Sequence, residues 1–402
     1  MGRFVIDSRY LGTSRHVVGD VDGYAVSDSV PRDAWHLDGR LKSGRCLDTL
    51  LRLEGKTPAR PPEKYTTIAT QLVPANVDVP WRHFLPEDVF RIFFRNVVEE
   101  TKETFSKLPF DYHETVWMAG NRLLSSLRPA KIDATAFEAA LAVNPGSPGL
   151  ESFRPKRSGF SHPVAYDRLA TRTGRLTVTD GPNILLLKKE YRKILRTSFD
   201  EGEVVSLDFR ALEARVVLAE TGRRPPTGDL YDQLAMSLFG GSVNRDVVKT
   251  AVIAELYGAS RSSLGHRLGV SQGQLDEFIS VIRRHFDVDA LRRRLRESMD
   301  TTGRTRSRFG RPITVPAGQE GILINSYAQS TGVDVSILGF DSVVTMLGTE
   351  GIRPLFVLHD ALILDVRRDR LADVNAIDSV SIQGYEYPFP LKLEKLSSEI
   401  LP

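Results

Sequence analysis

Cysteine is almost absent from this chain. Cys46 is the single cysteine in 402 residues, which excludes a disulfide framework and a thiolate metal cluster and fits a reducing compartment. Long apolar runs also read as missing: no stretch approaches the roughly 20 residues that a membrane span needs. The N-terminal run MGRFVIDSRY lacks a signal-peptide pattern. Ile6 stands where a myristoylation motif beginning at Gly2 requires Ser or Thr. No internal repeat or low-complexity tract is present. These absences lead to the expectation of a soluble, cytoplasmic protein with no membrane partner. Excess charge is missing too, since 54 Lys+Arg against 51 Asp+Glu leaves a formal +3, so net charge alone does not point to nucleic acid.

What is present is an ordinary globular composition, with 41% hydrophobic and 26% charged residues, in a chain long enough for two or three cores. The positive charge is unevenly spread. It gathers at Arg154, Lys156 and Arg157, again at Lys188, Lys189, Arg192, Lys193 and Arg196, and most densely from Arg283 to Arg311. Local basic blocks in a balanced chain suit a groove that grips phosphates, although each block alone reads equally well as a solvated helix face.

Residues 1–85 mix short strand-like runs, Arg3 to Ile6 and Thr66 to Leu72, with many prolines, and carry no assignable role. From Pro86 to about Leu127 the pattern turns helical, with Val89, Ile92, Phe93, Val97 and Val98 at helical spacing. Asn144 to Pro163, rich in Pro, Gly and Ser, reads as a linker or flexible loop. Beyond it, Val204 to Leu207 predicts a strand ending on Asp208, followed by a helix through Leu212, Val216 and Leu218. Asn244 caps a predicted helix to Leu256, and Ser271 with Gln274 forms a capping box before another. Asn325 to Leu347 predicts a long helix. Leu355 to Leu358 and Leu362 to Val366 predict a hairpin around His359 and Asp360, and Pro388 to Glu394 a last strand.

Two features in this second part carry chemistry. Asp208 and Asp360 each sit at the turn of an apolar strand. Brought together, such carboxylates can chelate Mg²⁺, a hard ion that keeps substrate phosphates in its shell. A lone aspartate after a strand is more often a plain turn residue. The second feature is a helical stripe, Arg245, Lys249, Ile253 and Tyr257, spaced by four and ended by Gly258. Each step of four advances about 40° around the helix, so the stripe shares one side. Two cations and an aromatic could grip a triphosphate and pack a base; equally they could form a surface stripe.

Here the order of motifs resembles a known family. Ser206-Leu-Asp208-Phe-Arg-Ala-Leu-Glu213-Ala-Arg215 resembles the first palm motif of A-family DNA polymerases. Arg245 through Gly258 resembles their nucleotide-binding finger helix, and Phe356-Val-Leu-His359-Asp360 their last palm motif. Flanking matches are Thr171-Arg-Thr-Gly174-Arg175-Leu, Asp229-Leu-Tyr231 where the family has D-I-H, Gly303-Arg304-Thr-Arg306, and Asn325-Ser-Tyr-Ala-Gln329. The resemblance covers about residues 165–396. It implies an α+β right-hand fold with an antiparallel palm sheet. The fingers would occupy 229–300, the palm 166–228 and 301–402, and a reduced helical thumb with linker 86–165. It also implies a nucleotidyltransferase that extends a primer on template DNA with dNTPs.

Residue by residue, the resemblance gives Asp208, Asp360 and the backbone carbonyl of Phe209 the catalytic metals, two Mg²⁺ with Mn²⁺ as a substitute. Arg245 and Lys249 would hold the triphosphate, and Tyr257, Ile253 and Tyr231 would complete the nucleotide site. Glu213 would be the steric gate that crowds a ribose 2′-hydroxyl. Arg175, Asn325, Gln329, Arg304 and Arg306 would contact DNA, and His359 the primer end.

The departures are Ile253 for an aromatic, Ala361 for a carboxylate after His-Asp, Gly321 for an arginine, and Arg210 and Ala211 in the first motif. No exonuclease D-x-E set is evident, so a minimal polymerase without proofreading is expected. Its size suggests a phage or mobile-element protein that works beside a helicase, primase or processivity partner. A single-subunit RNA polymerase and a catalytically weak nucleic-acid-binding subunit are the alternatives, and template preference stays open.

Overall fold

The computed structural model describes residues 2–6, 15–37, 45–57, 59–72, 80–258, 261–268, 270–316, 318 and 320–396. It divides into two compact units, Met1–Glu114 and Thr115–Pro402.

The smaller unit holds a four-stranded sheet in the order Tyr24–Ser27, His16–Gly19, Phe4–Ile6, Trp35–Leu37. Phe4–Ile6 pairs antiparallel with His16–Gly19 and parallel with Trp35–Leu37. Phe4, Val5 and Ile6 are all fully buried, as a strand covered on both faces must be. Phe4 meets Phe105 edge-on with centroids 5.3 Å apart, and Trp35 meets Phe110 at 5.0 Å. Phe105 ends the helix Glu87–Phe105, which buries Phe90, Phe93, Val97 and Val98. Ile92, read as part of that apolar face, is exposed instead.

A second expectation fails in this unit. Thr66 to Leu72, read as strand-like, lies in the helix Glu63–Leu72. Pro61 and Pro62 precede it, and Pro near a helix start costs no hydrogen bond. The β-branched threonines bond back to the helix: Thr66 Oγ1 donates to the Glu63 carbonyl and Thr70 Oγ1 to that of Thr66, both at 2.8 Å.

The larger unit is built on a five-stranded sheet. Its order is Ile352–Leu358, Ala361–Arg367, Gly202–Phe209, Phe389–Lys395, Ser379–Val380, and every pairing is antiparallel. The central strand alternates between two cores. Val205, Leu207 and Phe209 face one, shared with Val335, Phe340 and Val343 of the long helix Leu323–Leu347. Val204 faces the other, shared with Ile132, Phe137, Leu150, Phe153 and Ile194. With period two, Ser206 and Asp208 share the face of Val204.

Leu150 and Phe153 are fully buried, and Ser147 caps the short helix Pro148–Glu151. The Asn144 to Pro163 segment is therefore packed chain rather than a solvated linker; its prolines and glycines shape tight turns. A third core joins the helices Leu230–Phe239, Arg245–Tyr257, Gln272–His285 and Val288–Thr302 to the start of the long helix. The Asn244 cap and the Ser271–Gln274 capping box both form as expected.

The long helix corrects another reading. Its 25 residues are long and apolar enough to cross a bilayer, but 67% of its most apolar window is buried inside the protein. A helix that is apolar on all sides is what a core position requires. Gly339 lies on it where a Cβ would stand 2.8 Å from Phe209 Cζ. That ring is wedged against Phe340 and Phe389, so Gly339→Val should cost about 2–3 kcal/mol by overpacking. Urea unfolding of the variant beside the parent sequence measures that loss.

Candidate active site

The central strand delivers Asp208 to the edge of a cleft, and a two-residue turn delivers Asp360 beside it. Asp208 pairs in register with Ala361 on one side and Lys392 on the other. The Phe209 N–H donates to the Asp360 carbonyl at 3.0 Å, which ties the two aspartate segments together. Leu358 pairs with Ala361, leaving His359 and Asp360 as the turn. His359 has φ 56° and Ala211, just past the strand, φ 53°. Left-handed backbone is uncommon for residues other than glycine, and two such residues flanking one cleft mark local strain.

The cleft, about 570 Å³ in volume, is lined by Asp208, Phe209, Glu213, Tyr231, Arg245, Lys249, Ile253, Tyr257, Gln329, His359, Asp360 and Arg175 among others. Twelve of the fifteen residues singled out from the sequence thus converge on it. The stripe of the Arg245–Tyr257 helix faces the cleft along its whole length.

Its electrostatics are unusual. Burial pushes the Asp208 carboxyl up to about 7, reinforced by the charges of Asp360 and Glu394 and opposed by Lys392 and Lys189. Asp360 is also pushed up, chiefly by burial. Two nearby carboxylates resist ionising together. Asp208 Oδ1 is buried and has no hydrogen-bond partner, a costly state for an acceptor. Glu213 is raised by burial, although the Tyr257 hydroxyl donates to its Oε2 and Arg175 donates to its Oε1 at 3.2 Å. Gln329 also reaches the Tyr257 hydroxyl. Burial, helped by Glu213 and Asp229, pushes Tyr231 up to about 12. His359 is lowered by burial and by Arg175, which favours the neutral imidazole.

Arg215 and Asp229 set the entrance of the helical part. Arg215, 2% exposed, donates to the carbonyls of Arg210 at 2.8 Å, Gly228 at 2.6 Å and Pro226. This folds the connecting loop back onto the helix Leu212–Glu220. Asp229 then caps the helix Leu230–Phe239 and holds Arg245.

Three singled-out residues do not line the cleft. Asn325 stands one turn before Gln329 on the long helix, its Oδ1 buried without a hydrogen-bond partner. Arg306 Nη1 donates to the Gly310 carbonyl at 3.0 Å. The carbonyl of Arg304 accepts from Thr302 Oγ1 at 2.6 Å. Conversely, Lys392 and Glu394 line the cleft and escaped the motif reading. The signal was available: they are two apart on a strand, so they share a face, and antiparallel pairing with Gly202–Phe209 brings that face beside Asp208.

Comparisons with known proteins bear on the family and the fold. A family model described as DNA polymerase family A matches residues 150–395. The thermostable DNA polymerase I of Thermus filiformis is 26% identical over 267 residues, covering 59% of this chain and 32% of the relative. That of Thermus thermophilus is 28% identical over 269 residues, with 59% and 32% covered. The DNA polymerase of Mycobacterium phage L5 is 27% identical over 177 residues, 42% of this chain and 26% of that one. The chain spans about a third of the length of the Thermus relatives it matches. Among solved structures, the POL domain of Pol1 from M. smegmatis, in complex with DNA primer-template and dNTP, has a TM-score of 0.52 at 14% identity. That likeness covers 98% of this chain and 94% of that one, and it shows the fold.

The raised Asp208 carboxyl makes a prediction about pH. Between its ordinary value of about 4 and its folded value near 7, the folded state holds a proton that the unfolded chain has released. Stability of the protein in a chelator should therefore fall as pH rises through that window. Asp360 and Glu213 shift in the same direction. Urea unfolding at pH 5 and pH 8 measures the slope, and Asp208→Asn should flatten much of it; an undiminished slope in the variant would place the effect elsewhere.

Proposed function

The chain belongs to DNA polymerase family A, and we propose that it extends the 3′ end of a primer on template DNA by adding deoxynucleotides, a nucleotidyl transfer. The observation that carries this reading is the single cleft in which Asp208 and Asp360 face Arg245, Lys249 and Glu213.

Asp208 and Asp360, with the backbone carbonyl of Phe209, would hold Mg²⁺. The donor set fits a hard cation, since all three are oxygens and Asp208 Oδ1 is a buried acceptor with no other partner. When bound, such ions favour ionisation of a primer hydroxyl and neutralise charge on a leaving pyrophosphate. Everything else in the cleft positions substrate. Lys249, exposed on its helix, and Arg245 would take the oxygens of the triphosphate. Tyr257, at the end of the same helix, would lie against the new base pair, with Ile253 and Tyr231 beside the nucleotide.

Glu213 would crowd a ribose 2′-hydroxyl. Its carboxylate is fixed from two sides by Tyr257 and Arg175, and a gate must be held still to discriminate by size. Arg175 and Gln329 would face the minor groove at the primer end, and neutral His359 the terminal sugar. Asn325, Arg304 and Arg306, outside the cleft, would contact the duplex further along. Such contacts are made mainly to the backbone and carry little sequence preference. The same reading assigns the chain no proofreading.

Primer extension on a primed DNA template with Mg²⁺ tests the proposal. Extension with dNTPs is expected to exceed that with rNTPs. Asp360→Asn should slow it about a thousandfold, the equivalent of several kcal/mol of lost charge stabilisation, while primer–template binding persists. Extension mainly with rNTPs would overturn the gate assigned to Glu213, and digestion of a single-stranded 3′ end would overturn the absence of proofreading.

A further inference from the structure

Arg245 is already engaged before any substrate arrives. Its Nε donates to Asp229 Oδ1 at 3.1 Å and its Nη2 to Asp229 Oδ2 at 2.7 Å. Its Nη1 donates to Asp246 Oδ1 at 3.0 Å, and Asp232 Oδ2 lies 3.7 Å from Nε. One guanidinium thus sits among three carboxylates, a group whose formal charge is negative, at the end of the cleft where a polyanion would have to bind. Asp229 itself lines that cleft. Lys249, one turn along the same face, is exposed and has no ion pair among the described residues.

The carboxylates do not all move with Arg245. Asp246 is its neighbour on the helix Arg245–Tyr257. Asp232 belongs to the helix Leu230–Phe239, which Asp229 caps by accepting from the Tyr231 and Asp232 N–H groups, both at 3.0 Å. The Asp229–Arg245 pair is therefore a tie between two helices, clamped at one end by the capping bonds. Its side chains are 35% and 38% exposed. A half-exposed pair of this kind is weak enough to be exchanged for a phosphate that offers the same bidentate geometry.

We infer that Asp229 is a positioning residue that ties Arg245 to the neighbouring helix until the triphosphate of the incoming nucleotide displaces it. Lys249 takes the triphosphate first, and Arg245 joins once the tie opens. This rests on the assignment of triphosphate binding to Arg245 and Lys249 made above. The tie makes Arg245 responsive to the triphosphate: a ligand that reaches Lys249 alone leaves it closed.

The decisive substitution is Asp229→Asn, because Asn caps a helix as well as Asp does and removes only the charge; Asp229→Ser, also a capping residue, is the second variant. The measurement is the dissociation constant of dATP with Mg²⁺, on protein bound to a dideoxy-terminated primer whose next template base is thymine. Arg245→Ala should weaken binding, and Asp229→Asn should tighten it about two- to fivefold. In the Arg245→Ala background the gain from Asp229→Asn should vanish, since Asp229 acts through Arg245. Unchanged or weaker binding in both Asp229 variants, with Arg245→Ala still impaired, would overturn the tie and leave the polymerase reading intact. A gain that persists without Arg245 would also overturn the tie, reducing it to plain repulsion. Binding indifferent to both Arg245→Ala and Lys249→Ala would overturn the triphosphate assignment, and the tie with it.

Discussion

Two carboxylates that repel one another are held at the ends of adjacent strands, and much of the larger unit serves to keep them there. Asp208 stands opposite Ala361 in register, one residue from Asp360, and the Phe209 N–H is spent on the Asp360 carbonyl. The sheet therefore fixes the two backbones side by side. Burial raises both carboxyls, and the charge of Asp360 raises Asp208 further. A free chain would relieve this at once. It persists because Phe209 is wedged between Phe340 and Phe389 below the strand, and because the left-handed turns at Ala211 and His359 are over-determined by the cores they connect.

Other buried charges in the same unit are treated in the opposite way. Glu220 accepts from the hydroxyls of Tyr327 at 2.7 Å and Tyr385 at 2.9 Å and from Arg294 at 3.0 Å. Asp365 accepts from Thr197 Oγ1, Ser198 N and Ser198 Oγ, all within 2.8 Å. Arg215 satisfies three carbonyls. Saturated groups of this kind fix a fold, since removing one partner strands the others. Asp208, with a bare oxygen in a polar cleft, is the pattern of a residue whose partner comes from solution.

This contrast explains what was readable beforehand. The cleft residues were found because they stand in short motifs whose residue types and order resemble those of DNA polymerase family A. Asp208, Glu213, Arg245, Lys249, Tyr257, Gln329 and Asp360 are separated in sequence but stand in motifs. Local helix signals were equally direct: Asn244 and Ser271 cap as their types dictate. What failed depended on tertiary context. The Thr66 to Leu72 run reads as β by residue type, yet the hydroxyls of its threonines find partners along a helix. The Pro, Gly and Ser of the 144–163 segment suggest a free linker, yet Leu150 and Phe153 pin it beneath the sheet. Composition said little about the smaller unit, whose sheet is held by ring contacts between residues far apart in sequence.

Lys392 and Glu394 extend the point to chemistry. No motif marks them, because what brings them to Asp208 is the register of the last strand, and a one-residue slip would turn both to the other face. In this register Lys392 pairs with Glu394 at 2.7 Å while both act on Asp208, one lowering its affinity for a proton and the other raising it. On the opposite flank, Ala361 offers no charge. The electrostatic balance at Asp208 is thus set from the Phe389–Lys395 side of the strand. A cation entering the cleft meets the field of Glu394 from the neighbouring strand, and Lys392 screens part of it. Reading the charge at this centre from the His359-Asp360-Ala361 motif alone would miss both contributions, since the strand that supplies them begins 28 residues after Ala361.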